Sequence, residues 1–459
     1  LGRPRQQEWD INQGIRDEEI CKAIFSTPNF KACGPDGIPM EFFKAFIPCK
    51  DDSEGSSDNN INISSGFKCL KALINRIWND EFPKSWNNTS IVSIHKKGDL
   101  SDCNNYRGIS LINNGLKIIT KIIANRISKY GIDEGFIRPE QFGFRNREEC
   151  ISLYTTVRII CQRRKFENKD TYLAFLDLKK VYDSVSIYNV LMKIHHLGIR
   201  GECYNFIENL YLSSKACVRV DGQLSESFNI MKGVRQDCPL SPILFNLFIN
   251  DIFNNCNKYG ISIGNERCCG GLFADDIVLC APTRSQLKKL LKFASKWTRN
   301  NEMQFGIDKC ANRVVRREVS RFLYNSNPTF YLSSQELPKT NYYTYLGVPF
   351  SNDLELKPII QQINNKVRYA LYSIKGFLKN PHIPIPYKRM LFSVIVIGQV
   401  SYYALLLGSN KDRTRSTQTF VNSGLYWIEG LSKGNSFTSL YCVSKELNVP
   451  PLSAKCVIA

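Results

Sequence analysis

The sequence predicts an α+β core followed by an all-helical segment. Two observations carry this. Strand-type apolar alternation is confined to the middle of the chain, with helical periodicity on either side of it, and the helical pattern dominates everything after residue 354. With 459 residues, 43% of them hydrophobic, the chain can bury a large core, divided into roughly two to four subdomains.

Residues 1–50 read as an N-terminal extension. Within them, 15–47 carry helical segments broken by ACGPDGIP, whose Gly and Pro residues enforce a turn-rich loop. DDSEGSSDNNINISSG, residues 51–66, is polar and low in complexity and is expected to be a flexible, disordered insertion. A helical pattern resumes from Phe67 to Asn79. SIVSIHKKGD alternates Ile and Val as a strand running into a basic turn, and Leu116–Tyr130 follows as an amphipathic basic helix. Thr171–Leu178, TYLAFLDL, is a strand, and Ile187–Leu197 a helix stopped by Gly198. Ala216–Val220 and Ser227–Met231 read as strands around the turn DGQ. Pro239 opens a long apolar helix to Phe253. Gly271–Cys280, GLFADDIVLC, is strand–turn–strand, and Ser285–Asn300 is an amphipathic helix with a basic face. Met390–Gly408 is uncharged and near membrane-spanning length, but its Ser393, Gln399, Ser401, two Tyr and two Gly favour a buried core helix over a span.

Lys and Arg number 61 against 42 Asp and Glu, a formal charge of +19 distributed along the chain. Such a field favours a polyanionic partner through counterion release and electrostatic steering. Seventeen cysteines include no CxxC, and only four His accompany them, which argues against a zinc knuckle or a disulfide scaffold. Cys21, Cys33, Cys69, Cys161, Cys203, Cys217 and Cys280 sit singly in apolar segments, as buried thiols do. The expectation is a reduced, intracellular protein. LGRPRQQEWD lacks a Met and is no signal peptide, so the sequence reads as a fragment.

Two places put Asp where a strand should be apolar: Asp177 in FLDL, and Asp275 with Asp276 in FADDIV. An ionised Asp there is costly unless paired or bound to metal, and adjacent carboxylates raise each other's proton affinity. A divalent cation relieves both, and hard oxygen ligands suit magnesium, or manganese as the alternative. Two ions about 3.5–4 Å apart activate a 3′-hydroxyl and stabilise leaving pyrophosphate. Taken singly, each element has a plainer explanation, a turn Asp pair or an Asp paired with a lysine.

The elements come in an ordered series: IHKKGD with NYRGISL, then EQFGFR, FLDLKKVYDSV, GVRQDCPLSPILFN, FADD, FGIDKC and YLGV. In that order the chain resembles the non-LTR, LINE-type retrotransposon reverse transcriptases, and ACGPDGIPMEFFK is similar to their N-terminal extension motif. The resemblance implies a right-hand polymerase. Fingers and the start of the palm would occupy 67–170, the palm with part of the fingers 171–352, and a helical thumb with a C-terminal extension 353–459.

It implies an RNA template, a target-DNA primer, dNTPs and two Mg2+ ions, with no membrane. The site of action would be the nucleus in a eukaryotic host. Asp177, Asp275 and Asp276 match the metal-binding carboxylates, with the Leu178 carbonyl a further ligand. Asp275 would be the stronger second ligand, because neighbours on an extended chain face opposite ways unless a turn reorients them. Tyr182 matches the aromatic gate against a 2′-hydroxyl, Arg107 the fingers arginine on the triphosphate, and Lys96 and Lys97 its companions. Gln236 stands near the incoming nucleotide, and Lys309 matches a lysine that protonates pyrophosphate. Gly143, Phe144 and Arg145 resemble a template-contacting loop, and Tyr345, Leu346 and Gly347 the primer-grip turn. Asp183 is expected to be structural.

Two departures stand out. Asp237 follows Gln236 where the family writes Gly, and Val181 replaces Ala. A buried, unpaired charge at Asp237 would weaken nucleotide binding by a few kcal/mol. That leaves open a catalytically inactive, RNA-binding scaffold as the alternative to an RNA-directed DNA polymerase. A group II intron maturase or retron enzyme fits FADD, NYRGISL and GPDGIP less well. No endonuclease segment is legible in these residues.

Overall fold

The computed structural model describes residues 10–47, 64–79, 82–145, 149–317, 327–340, 342–408, 410–431 and 439–458. Most of the 51–66 segment lies outside the described residues. Its last three residues do not fit a disordered insertion: Ser64 caps helix α3, accepting the Phe67 N–H, and Ser65 and Gly66 are already helical.

The N-terminal extension contributes α1 (Asp17–Phe25) and α2 (Met40–Lys44), followed by α3 (Ser65–Trp78). Strands β1 (Asn88–His95) and β2 (Tyr106–Leu111) pair antiparallel and lead into α4 (Asn114–Asp133). The sequence predicted an amphipathic basic helix over Leu116–Tyr130, with nothing to say that its basic residues would be buried. α4 is the spine of this half, and its Lys117 and Arg126 are buried. Arg126 docks the extension: its guanidinium donates to the carbonyls of Ile11, Gln13 and Gly14 and bidentately to Glu19 at 2.8 and 2.7 Å. Burial pushes the Glu19 carboxyl up, but the Arg126 hydrogen bond, the Arg16 N–H and the charges of both arginines together outweigh it and hold the group below its usual range.

Beyond α5 (Cys150–Phe166) comes β3 (Thr171–Leu176), then α6 (Val181–Ser184), α7 (Ile187–His196) and α8 (Gly201–Leu212). β4 (Lys215–Val220) returns to lie parallel to β1, with β5 (Gln223–Leu224) and β6 (Phe228–Asn229) antiparallel to it. This second contribution completes the first sheet. The DGQ hairpin turns at Asp221 and Gly222, both at positive φ. The predicted helix 239–253 is only α9 (Ser241–Ile249), because the chain turns from Asn250 onward.

After a short hairpin, β7 (Ile261–Ile263) with β8 (Glu266–Cys268), come β9 (Gly270–Phe273), β10 (Asp276–Ala281), α10 (Arg284–Asn300) and β11 (Ala311–Val315). They build an antiparallel sheet in the order β11–β3–β10–β9. β3 is central and covered on both faces, so Leu173 to Leu176 are all buried. Ala174 and Leu176 point into one core, with α4, α7, α9 and α10. Leu173 and Phe175 point into the other, with α5 and the C-terminal helices. Two further hairpins follow, β12 (Tyr331–Leu332) with β13 (Gln335–Glu336), and β14 (Tyr342–Tyr345) with β15 (Val348–Ser351).

From 357 the chain is helical. Lys357–Ser373 packs on Lys411–Ile428, where Gly424 is needed because a Cβ would meet Phe392 at 2.2 Å. The uncharged 390–408 stretch is not one buried helix. It breaks into an α-turn, a π-turn at Ser393–Ile397 and two short helices, with Met390 and Val394 exposed. No helix among the described residues is long and apolar enough to cross a membrane. The described cysteines are free thiols; Cys69 is exposed where a buried thiol was expected.

Replacing Arg126 by Met is expected to cost about 3–5 kcal/mol of stability, the range for breaking a buried ion pair by removing one partner. Denaturant titration measures it, and faster hydrogen exchange in 11–25 should accompany it. An unchanged exchange pattern would mean the extension is held by its apolar contacts alone.

Candidate active site at the end of the central sheet

β3 ends one residue before Asp177, so that side chain leaves the sheet at its rim. Both sides of its backbone are tied down. The Asp177 N–H donates to Cys310 Sγ at 3.3 Å, and its carbonyl accepts the Gly306 N–H at 2.9 Å. Leu178, 2% exposed, bridges to Phe305. Gly306 is there for space: a Cβ would come within 3.1 Å of Asp177 Oδ2. That oxygen is buried and accepts no hydrogen bond. The nearest cation is Lys309, whose Nζ stands 3.4 Å away, beyond the length of a charge-assisted hydrogen bond.

Asp275 and Asp276 stand on the adjoining turn. Phe273 pairs with Asp276, which leaves Ala274 and Asp275 as a two-residue connection, with Ala274 at φ +53°. Burial raises the Asp275 carboxyl, and Asp177 adds to the rise. Burial, Asp275 and Asp177 together push Asp276 up to about 7. The turn gives the two neighbours different surroundings. Asp275 acts on Tyr182, whose phenol is pushed up to about 12 by burial and by that carboxylate. Asp276 acts on Tyr343, raised by burial and then by Asp276.

Among the described residues, no three carboxylate, His or Cys side chains close on one point as they stand. Even so, the donor chemistry fits hard divalent cations. Asp177 adds to the raised proton affinity of both Asp275 and Asp276, and one buried Asp177 oxygen lacks a donor. Asp177, Asp275 and Asp276 are the residues able to hold such ions.

The other predicted residues divide into two groups. Arg107, Gln236, Tyr182 and Lys309 gather around the carboxylates. Arg107 Nε donates to Gln236 Oε1 at 3.1 Å, and Gln236 Nε2 donates to Asp183 Oδ1 at 2.7 Å, which gives Asp183 a structural partner. Tyr182 stacks on Phe245 with centroids 6.0 Å apart. Lys96 and Lys97 are exposed at the β1–β2 turn. Gly143 is buried and lies against the Ala274–Asp275 turn, where a Cβ would meet Ala274 N at 2.4 Å. Phe144, 48% exposed, and Arg145 instead face a groove of about 900 Å³ between α1 and α4. The Tyr345 ring is buried as well, packed on Phe175, which corrects the expectation that it touches a primer. Leu346 and Gly347, both at positive φ, form the turn, with Leu346 half-buried and Gly347 exposed. Asp237 does not carry an uncompensated charge: it pairs with Lys117 at 2.9 Å.

Three functional neighbours were passed over. Tyr343 stacks on Phe175 at 4.8 Å and donates its hydroxyl to the Lys309 carbonyl at 2.8 Å. The alternation in YYTYLG was a usable signal, since residues two apart on a strand share a face. Cys310 and Lys117 carried no local signal.

The reverse transcriptase (RNA-dependent DNA polymerase) family model matches residues 94–350. The chain is 26% identical to the Retrovirus-related Pol polyprotein from type-2 retrotransposable element R2DM of Drosophila melanogaster, over 70% of this chain and 31% of that protein. It is 27% identical to the RNA-directed DNA polymerase from mobile element jockey of the same fly, over 62% and 31%. With the Transposon TX1 uncharacterized 149 kDa protein of Xenopus laevis it shares 24% identity, over 90% and 30%. The chain thus spans about a third of the length of these relatives. Apo telomerase from Candida tropicalis aligns with a TM-score of 0.46 at 13% identity, covering 92% of this chain and 76% of that one.

Asp276 gives a pH prediction. Its folded proton affinity is raised, so its stabilising contribution is complete below its ordinary value of 3.8 and is lost as pH rises through about 7. Without divalent cations, Asp276→Asn should raise the melting temperature by a few degrees at pH 8 and leave it unchanged at pH 4. Equal shifts at both pH values would show that the carboxylate is not the source of strain.

Proposed function

The chain belongs to the reverse transcriptase family of RNA-dependent DNA polymerases, and on that premise we propose that it copies retrotransposon RNA into DNA from a target-DNA 3′ end. The observation that carries this reading is the meeting of Asp177, Asp275 and Asp276 at one rim of the central sheet, where the proton affinities of Asp275 and Asp276 are raised and Asp177 has a buried oxygen that accepts no hydrogen bond.

Divalent metal ions are general in this family; two magnesium ions, or manganese, would supply Lewis acidity for the attacking 3′-hydroxyl and neutralise the leaving pyrophosphate. Asp177, Asp275, Asp276 and the Leu178 carbonyl would hold them. The remaining steps belong to side chains. Arg107 takes the triphosphate with a planar fork, already oriented by Gln236, and Lys96 and Lys97 add charge at the same turn. Tyr182, fixed on Phe245, lies under the sugar and excludes a 2′-hydroxyl. Lys309 reaches the carboxylates and delivers a proton to pyrophosphate. Phe144 and Arg145 guide the template, and the Leu346–Gly347 turn supports the primer end.

The inactive-scaffold alternative rested on Asp237 as an uncompensated charge. Its pairing with Lys117 removes that support.

Primer extension on an RNA template with dNTPs and Mg2+ tests the reading. Asp275→Ala combined with Asp276→Ala should lower the rate on the order of 10³-fold or more, several kcal/mol of lost charge stabilisation. Retained extension would remove the assignment, and absent extension with RNA binding intact in the native chain would leave a scaffold. In the active chain, Tyr182→Ala should reduce discrimination against ribonucleotides by about 10- to 100-fold, measured as the ratio of kcat/KM values. Unchanged discrimination would place the gate elsewhere.

A further inference from the structure

Asp237 sits at φ +81°, in the left-handed region that favours glycine over a residue with a Cβ. A strained residue persists only when its surroundings over-determine it, and here they do. Its carboxylate meets the Lys117 ammonium at 2.9 Å, with the lysine side chain 11% exposed and the Asp 48%. Lys117 lies in the first turn of α4, six residues beyond the end of β2. An ammonium that deep needs a partner, and Asp237 supplies it.

The next residue back is Gln236, the side chain between Arg107 and Asp183. Its carbonyl accepts the Ser110 N–H of β2 at 3.1 Å. Arg235 anchors the other side, donating to the carbonyls of Trp86, Asn87 and Leu210 and to Ser214 Oγ. The loop is therefore stitched to β2 at Ser110 and Arg107, and to α4 at Lys117. Of these stitches, the Lys117–Asp237 pair is the one that bears on the strained backbone.

We propose that Asp237 and Lys117 are a matched positioning pair that holds this loop in the left-handed turn and so sets the pose of Gln236 and Arg107 toward an incoming nucleoside triphosphate. Neither touches the nucleotide; they act through Gln236. The inference rests on the polymerase reading above. It reverses the simple expectation for this position: Asp237→Gly alone relieves the backbone but strands a buried ammonium, and so harms nucleotide binding.

The test is a double-mutant cycle of Lys117→Met, Asp237→Gly and both together, read as dNTP KM and kcat in primer extension. Each single change should raise KM on the order of tenfold with kcat altered less than about twofold, and the double variant should return KM to within about threefold of the native value. Additive losses in the double variant would overturn the pair. So would a lower KM for Asp237→Gly alone, which would make Asp237 a plain burden. A merely structural pair would lower melting temperature and active fraction in the single variants and leave KM unmoved. Equilibrium dNTP binding to the chain on a dideoxy-terminated primer and template repeats the cycle without turnover. Coupled binding with no extension by the native chain would sustain the pair and sink the polymerase reading. Uncoupled binding with normal extension would do the opposite.

Discussion

Three carboxylates held at one rim of a sheet repel one another, and much of the surrounding structure answers that repulsion. β3 is buried on both faces, so Asp177 cannot retreat along its own strand. Its backbone is fixed by Cys310 and Gly306, and the 304–306 segment runs alongside it. The adjoining turn is equally constrained, because Gln141 bridges to Leu272 and Gly143 leaves no space behind Ala274. A site that could relax would let the carboxylates separate and disperse their charge. Rigidity of the scaffold is what keeps the charge concentrated.

The buried cations answer a different need. Arg126, Arg235 and Lys193 each lie inside the protein and donate to backbone carbonyls, and Lys193 also pairs with Asp251. They replace regular secondary structure where loops must pack against helices, satisfying carbonyls that no ladder reaches. A net charge of +19 is therefore an uneven guide to the polyanion-facing surface, since part of it is consumed inside the fold.

Legibility in the sequence followed the range of the interactions. The strand carrying Asp177, the FADD turn and the helix stopped by Gly198 were readable, because alternation and glycine act over a few residues. Right-hand architecture and the family followed from motif order. Contacts set by distant chain were not readable. Lys117 and Asp237 are 120 positions apart, and nothing near either residue announces the other. Tyr345 was placed in the primer-grip turn by its motif, and nothing in that motif told that its ring turns inward onto Phe175. Gly143 was placed in a template-contacting loop, without sign that its bare Cα is required by the Ala274 turn. The apolar stretch 390–408 misled for another reason: composition is silent about an interrupting π-turn and about the exposure of Met390 and Val394.

Phe175 gives the aromatic block a mechanical meaning. Its ring lies 4.8 Å from both Tyr343 and Tyr345, and it precedes Asp177 by two residues. The hairpin that turns at Leu346–Gly347 is thereby bolted to β3, the strand that leads into Asp177, with one stacked and one tilted ring as the spacer. Rings in contact resist compression and resist being prised apart. The block works as a gauge and not as a hinge. The separation between that turn and Asp177 is thus set by ring thickness, and Tyr402 and Gln362, which donate to the Leu346 and Gly347 carbonyls, couple the C-terminal helices to the same gauge.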